Sequence, residues 1–197
     1  MIVAVEDALL EAVALRLLAE YAPDCAVSAV MGMKGNTHLK ATCRELNRAA
    51  AGIDILLLTD LDDPQTCAPS LIADWLGHPP APRMIFRVAV VEAETWLLAD
   101  KPQIATFLGV SQGHIASGNP ELIDKPKEHL ISAARRSSRR FIREGIPPQH
   151  GSTCSIGPQY NPLLTQYAAN EWRPEFARKQ SDSLERAVRR ITQLATT

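Results

Sequence analysis

The residues most able to do chemistry are carboxylates placed after apolar runs. Glu6 follows Ile2–Val5, and Asp60 and Asp62 follow Ile55–Thr59, with Asp63 next to them. Carboxylates crowded at one point repel one another and raise each other's pKa values, so a chain that gathers them usually has a cation to put there. Oxygen donors without a nearby His or Cys suit Mg²⁺ or Mn²⁺, which take one or two carboxylates and keep several waters. Asp60 and Asp62 lie two apart, so an extended backbone puts them on one side. Asp63 then points elsewhere and reads as a cap. Glu92 and Glu94 form a second pair at the same spacing after Met84–Val90. They read either as acids complementing a helix dipole or as further metal ligands. Arg87 stands where it would bridge them as a bidentate ion pair.

The elements that must position these acids follow from periodicity. Ile2–Val5, Cys25–Met31, Ile55–Thr59 and Met84–Val90 read as strands. Ala8–Tyr21, Thr37–Ala51 and Cys67–Leu76 read as the helices between them. The five residues Ile55–Thr59 fit a strand covered on both faces, and Pro64 bars its simple continuation. Strands alternating with helices predict an α/β fold, a Rossmann-like and mostly parallel four-stranded sheet flanked by helices. In such sheets ligands bind beyond the carboxyl ends of the strands, where Glu6, Asp60 and Asp62 would converge. The sheet accounts for residues 1–91. Residues 92–197 read as a mostly helical extension packed on it: Glu92–Asp100, Pro102–Leu108, one helix over Glu128–Glu144, then Pro162–Trp172 and Ser181–Leu194, with Ser181 or Asp182 as the last N-cap.

A net charge of -1 conceals an asymmetry. Residues 1–100 hold 7 Lys and Arg against 14 Asp and Glu, and residues 101–197 hold 14 against 8. An acidic half joined to a basic half fits a metal site beside a surface for a polyanion, or two halves that attract each other. The basic feature is Arg135, Arg136, Arg139, Arg140 and Arg143, which on one helix would form a single stripe suited to phosphates or to an acidic protein face. Lys125 and Lys127 flank a Pro-fixed turn and would neutralise charge in a phosphoryl-transfer transition state. Lys34 and Asn36 offer a weaker phosphate contact. The five histidines show no ligand spacing, and Trp96 reads as core. Four scattered cysteines without a CxxC pair fit reduced thiols in a cytoplasmic protein. No apolar run approaches the roughly 20 residues of a membrane helix.

Glu6 with Asp60-Leu61-Asp62, separated by a helix–strand–helix, resembles the TOPRIM (topoisomerase–primase) superfamily over about the first ninety residues. The later half is similar to small stand-alone bacterial TOPRIM-like proteins, often encoded beside ATPases and related to anti-phage nucleases. The stretches that carry this likeness are RVAVVEAETWLLAD from Arg87 to Asp100, Asp124–Lys127, Gly157–Asn161, and the segment Trp172 to Leu184 with Ser181 and Ser183. The resemblance implies Mg²⁺-dependent hydrolysis of DNA or RNA phosphodiesters, with Glu6 as general acid/base or metal ligand and Asp60 and Asp62 as metal ligands. It also implies a role in phage defence beside an ATPase partner. Relatives usually have Gly after the first-strand Glu. Here Asp7 stands there, where it would crowd the metal rim or add a ligand. The alternatives are a non-catalytic interaction subunit of an ATPase complex and a nucleotide- or phosphate-binding domain. A homodimer is compatible with any of the three, and no membrane contact is expected.

Overall fold

The computed structural model describes residues 1–63 and 65–196. Pro64, expected to close the third strand, lies outside them. The sheet is built from β1 (Ile2–Val5), β2 (Ala29–Gly32), β3 (Ile55–Asp60) and β4 (Met84–Ala89). They stand in the order β2-β1-β3-β4 and every pairing is parallel. The expected α/β class is therefore seen, with a sheet that is wholly rather than mostly parallel. Each crossover is a helix: α1 (Ala8–Tyr21), α2 (Asn36–Ala49) and α3 (Ala68–Leu76).

The strands alternate between two cores, as period-two side chains require. Val3, Val5, Leu56, Leu58, Ile85 and Ala89 pack with α1 and the C-terminal helices. Ala4, Ile55, Leu57, Met84, Phe86 and Val88 pack with α2 and α3, where Trp75 lies 5.6 Å from Phe86 between ring centroids. With both faces covered, all six residues of β3 are buried.

The chain leaves β1 for β2 on one side, then returns to the other side of β1 to lay down β3. The direction of winding thus reverses between β1 and β3. In open parallel sheets this switch point opens a crevice at the carboxyl ends. Glu6 and Asp60 border it.

After β4 come α4 (Ala93–Ala99), α5 (Lys101–Leu108), α6 (Pro126–Ala134), α7 (Arg140–Gly145), α8 (Tyr160–Asn170), α9 (Pro174–Ala177) and α10 (Asp182–Thr192). Helix α1 packs on α8 and α10, and α10 also lies on β4. Ser181 caps α10 by accepting the Leu184 N–H at 3.3 Å, as expected.

Two expectations need correction. The second strand begins at Ala29 rather than Cys25: the Cys25 N–H donates to the Ala22 carbonyl in a turn, and the Ser28 N–H donates to the Met1 carbonyl. The single helix over Glu128–Glu144 is two helices. Ser137 is buried at the break, where its hydroxyl donates to the Leu108 carbonyl (2.5 Å) and accepts the Arg139 N–H (2.9 Å). A serine that bonds nearby backbone in this way competes with the helical ladder.

Candidate functional site

Glu6 and Asp60 meet at the switch point. The Glu6 Oε1 accepts the Asp60 N–H at 2.8 Å and the Thr59 hydroxyl at 3.0 Å, and the side chain is 8% exposed. The Asp60 Oδ1 accepts the Ala93 N–H, the first of α4, at 2.8 Å. Asp60 thereby faces the positive end of that helix. Glu94, in the first turn of α4, is 3% exposed; its Oε1 accepts the Tyr160 hydroxyl at 2.7 Å. Both Glu92 and Glu94 converge on Lys127, whose Nζ stands 3.5 Å from Glu92 and 3.9 Å from Glu94. The Glu92 Oε2 is buried without a hydrogen-bond partner.

Electrostatics bind these groups into one unit. Burial, and then the charges of Glu94, Glu6, Asp7 and Asp62, push the Asp60 carboxyl well above the usual carboxylate range. Burial raises Glu6 against the opposing pull of the Asp60 N–H and the Thr59 hydroxyl. Burial also raises Glu94, and Lys127 and Tyr160 offset it only in part. For Lys127, burial opposes the charge, but Glu94, Glu92 and Asp60 prevail and hold its pKa above that of an ordinary lysine. The cluster has several carboxylates and one close lysine, so an added cation would relieve repulsion within it.

The loops that deliver these residues are strained. Met33, Asp62 and Val91, following β2, β3 and β4, all have left-handed φ, at 59°, 56° and 65°. A β-branched residue there is rare, and such outliers gather at functional sites. Two of them are linked through the backbone, the Asp62 N–H donating to the Val91 carbonyl at 3.2 Å, while the Met33 N–H donates to the Val5 carbonyl at 2.9 Å. Gly32 is required at this rim, since a Cβ there would fall 2.0 Å from the Val5 oxygen.

The strained φ of Asp62 overturns the expectation that Asp60 and Asp62 share a side of an extended strand. Asp60 is buried, whereas Asp62 is exposed and its Oδ2 accepts from the Asn36 side chain at 3.1 Å. Asp63 is a turn cap, accepting the Gln65 N–H at 2.9 Å. Asp7 caps α1, accepting the Leu10 N–H at 2.9 Å, while its charge adds to the raising of Asp60 and Glu6. Lys125 is exposed and pairs with Glu128, leaving Lys127 as the lysine at the acids. Arg87 forms no ion pair with Glu92 or Glu94; it lies beside Arg186 and Arg190 of α10.

The five arginines do not form one stripe. Arg135 ends α6 and Arg136 lies in the break, while Arg139 precedes α7, which carries Arg140 and Arg143. Arg136, Arg139 and Arg143 donate to the carbonyls of Ser132, Phe107 and Ser137, and Arg140 pairs with Glu144. From Lys127, helix α6 carries the chain about 12 Å to Arg135 at 1.5 Å per residue. Tyr160 is the contact that sequence reasoning missed as a site residue. It sits 66 positions from Glu94, held where Gly157 packs against the carbonyls of Gly145, Ile146 and Pro147.

Whether these groups suit a divalent cation has two sides. The donors are all oxygen, they carry excess negative charge, and one buried oxygen of Glu92 has no partner. That chemistry fits Mg²⁺ or Mn²⁺. Among the described residues no three His, Cys, Asp or Glu side chains are drawn together as a metal cluster. No helix among them is long and apolar enough to cross a membrane. Comparison with protein-family models, curated proteins and solved structures gave no match to this chain.

Proposed function

We propose that this chain is a divalent-cation-dependent phosphodiesterase acting on nucleic acid. The observation that carries the reading is the set of buried carboxylates Glu6, Asp60 and Glu94 at the switch point of a parallel sheet, all with raised pKa and with Lys127 as the cation beside them. Structural ion pairs usually balance buried charge; this set does not, and unbalanced acids in a crevice mark functional sites. Glu6 and Asp60 would hold Mg²⁺ or Mn²⁺, with Asp62 at the exposed margin. The ion would supply Lewis-acid polarisation and neutralise charge on a phosphate.

The chain's own groups divide the remaining work. Glu6 is fixed by the Asp60 N–H and the Thr59 hydroxyl, so one of its oxygens is oriented and it can take a proton from attacking water. The Lys127 ammonium, held by Glu92 and Glu94, would offset charge gathering on a phosphoryl oxygen. Tyr160 fixes Glu94 and so positions Lys127.

The test combines binding and cleavage. Mn²⁺ binding followed by electron paramagnetic resonance should be saturable in the natural chain and weakened at least tenfold in Asp60→Asn and Glu6→Gln. Cleavage of labelled DNA and RNA should need Mg²⁺ or Mn²⁺, stop with EDTA, and vanish in both variants. Cleavage that survives Asp60→Asn would remove these acids from the reaction.

A further inference from the structure

We infer that a nucleic-acid strand leaves the acid rim along the outer edge of β4, where Arg87, Arg186 and Arg190 hold a phosphate about three steps from the one being cleaved. This rests on the phosphodiesterase reading of the rim. Strand β4 is the last in the sheet, so among the described residues its outer edge pairs with no other strand. A cavity of about 310 Å³ runs along that edge between α3 and α10, and Arg87 and Arg186 line it. A second cavity of about 360 Å³ lies at the rim, lined by Asp62, Asp63 and Val91. Val90 and Glu121 border both, so the two form one trough from the acids to the arginines.

The arginine end is built for an anion. The Arg87 Nε is buried and lacks a hydrogen-bond partner. Arg186 and Arg190 lie close enough to Arg87 to disfavour its charge, in addition to the effect of burial. Among the described residues none of the three forms an ion pair with a carboxylate. Glu121 and Asp182 line the arginine end of the trough, and Asp124 joins Asp62 and Asp63 at its rim end. Glu121 is taken up by the Ser181 hydroxyl and by the Ser183 N–H and hydroxyl, and Asp182 is exposed at the start of α10. Neither offsets Arg87. Helix α3 also begins at this cavity, through Cys67 and Ala68. Three guanidiniums gathered without a counterion repel one another, and bidentate phosphate contacts suit them. From Val90 to Arg87 is three residues of strand, about 10 Å at 3.3 Å each. That is about three phosphate steps of a duplex strand at 3.4 Å per step.

The test is fluorescence anisotropy of labelled single-stranded and duplex oligonucleotides across a salt series, with the full chain and its Arg186→Gln/Arg190→Gln variant. Arg186 is exposed and Arg190 half-buried, with its guanidinium donating to Gln193 at 3.1 Å, and an unchanged melting temperature would show the variant folded. The natural chain should bind with a steep salt dependence. The variant should lose about 0.7 from the log–log salt slope on single strands and about 0.9 on duplex, the share of one phosphate contact. A natural chain that binds with a steep slope beside a variant with the same slope overturns the trough and leaves the proposed function standing. Salt-insensitive or absent binding by the natural chain overturns both. If Arg186→Gln/Arg190→Gln unfolds, Arg186→Lys/Arg190→Lys keeps the charge and removes the planar fork. Affinity reduced severalfold in that pair supports the inference, and affinity at the natural level overturns it.

Discussion

The backbone N–H of Asp60 donates to the Glu6 carboxylate at 2.8 Å, so the two acids at the switch point are fastened to each other rather than merely near each other. The bond crosses from β3 to the end of β1 and depends on the parallel register that sets Leu58 beside Val5. It fixes Glu6 while placing both carboxyls in the same crevice. The sheet thereby creates a repulsion that it does not itself relieve.

Stability in the absence of metal should fall as pH rises. Folded-state pKa values raised above 3.8 for Asp60 and 4.5 for Glu6 and Glu94 mean that the native chain binds more protons than the unfolded one above about pH 4. The slope of unfolding free energy with pH is then negative for these groups. Their penalty begins near the unfolded values and is complete once pH exceeds the folded ones. In EDTA, Asp60→Asn should raise the melting temperature at pH 8 by about 2–4 °C, the scale of 1 kcal/mol in a chain of this size. The gain should shrink at pH 4. Mg²⁺ should stabilise the natural chain more at pH 8 than at pH 5, because ligand binding competes with protons. A melting temperature for Asp60→Asn at or below that of the natural chain at pH 8 would show that the acids are not in conflict.

Tyr160 should matter most when Glu94 is ionised. Its hydroxyl donates to the Glu94 Oε1 at 2.7 Å inside a buried site, and bonds to charged groups contribute roughly 1.5–3 kcal/mol. Tyr160→Phe should lower stability by about 2 kcal/mol at pH 8. It should cost less at pH 5, because without the donor the Glu94 pKa rises further and the acid protonates. Urea unfolding at the two pH values measures this. An equal loss at both would mark Tyr160 as packing alone.

What the chain reveals in one dimension depends on the distance over which each feature acts. The run Ile55–Thr59 is apolar because the sheet is covered on both faces, so β3 and the acids after it can be read directly. The bounds of β1 and α1 follow from strand and cap chemistry within a few residues. The arginines of 135–143 have helical spacing, but Ser137 is buried and bonds to Leu108 and Arg139, and that contact decides the break. A Ser-Ser pair is the available signal, and it is a weak one. The partners Glu94 and Tyr160, or Arg87 and α10, are joined only by tertiary packing, which no local pattern encodes. Asp62 was misplaced because two-residue spacing gives a shared side only if the strand continues, and it had already ended.

Asp7 should be a stability residue. Its side chain caps α1 through the Leu10 N–H at 2.9 Å. Asp7→Ala should cost about 1 kcal/mol, the usual loss of an N-cap acceptor. Asp7→Asn and Asp7→Gly should cost only a few tenths. All three should keep metal-dependent cleavage, since the carboxylate is taken up by the Leu10 N–H. Loss of Mn²⁺ binding in Asp7→Asn, with the fold intact by circular dichroism, would instead make it a ligand.

Val91 should be the point where rim geometry is held against stability. Its φ of 65° is one a β-branched side chain tolerates poorly, at a cost of roughly 1–2 kcal/mol. Its carbonyl accepts the Asp62 N–H and so fixes where that acid stands. Glycine adopts this conformation without penalty but has more freedom in the unfolded chain. Val91 is half-buried, so little packing is lost. Val91→Gly should therefore stabilise the chain by up to about 1 kcal/mol in urea unfolding. It should also loosen the link to Asp62, weakening Mn²⁺ binding severalfold while Asp60 still binds. Destabilisation beyond 1 kcal/mol would mean that the valine side chain, not the backbone it distorts, is what the rim depends on.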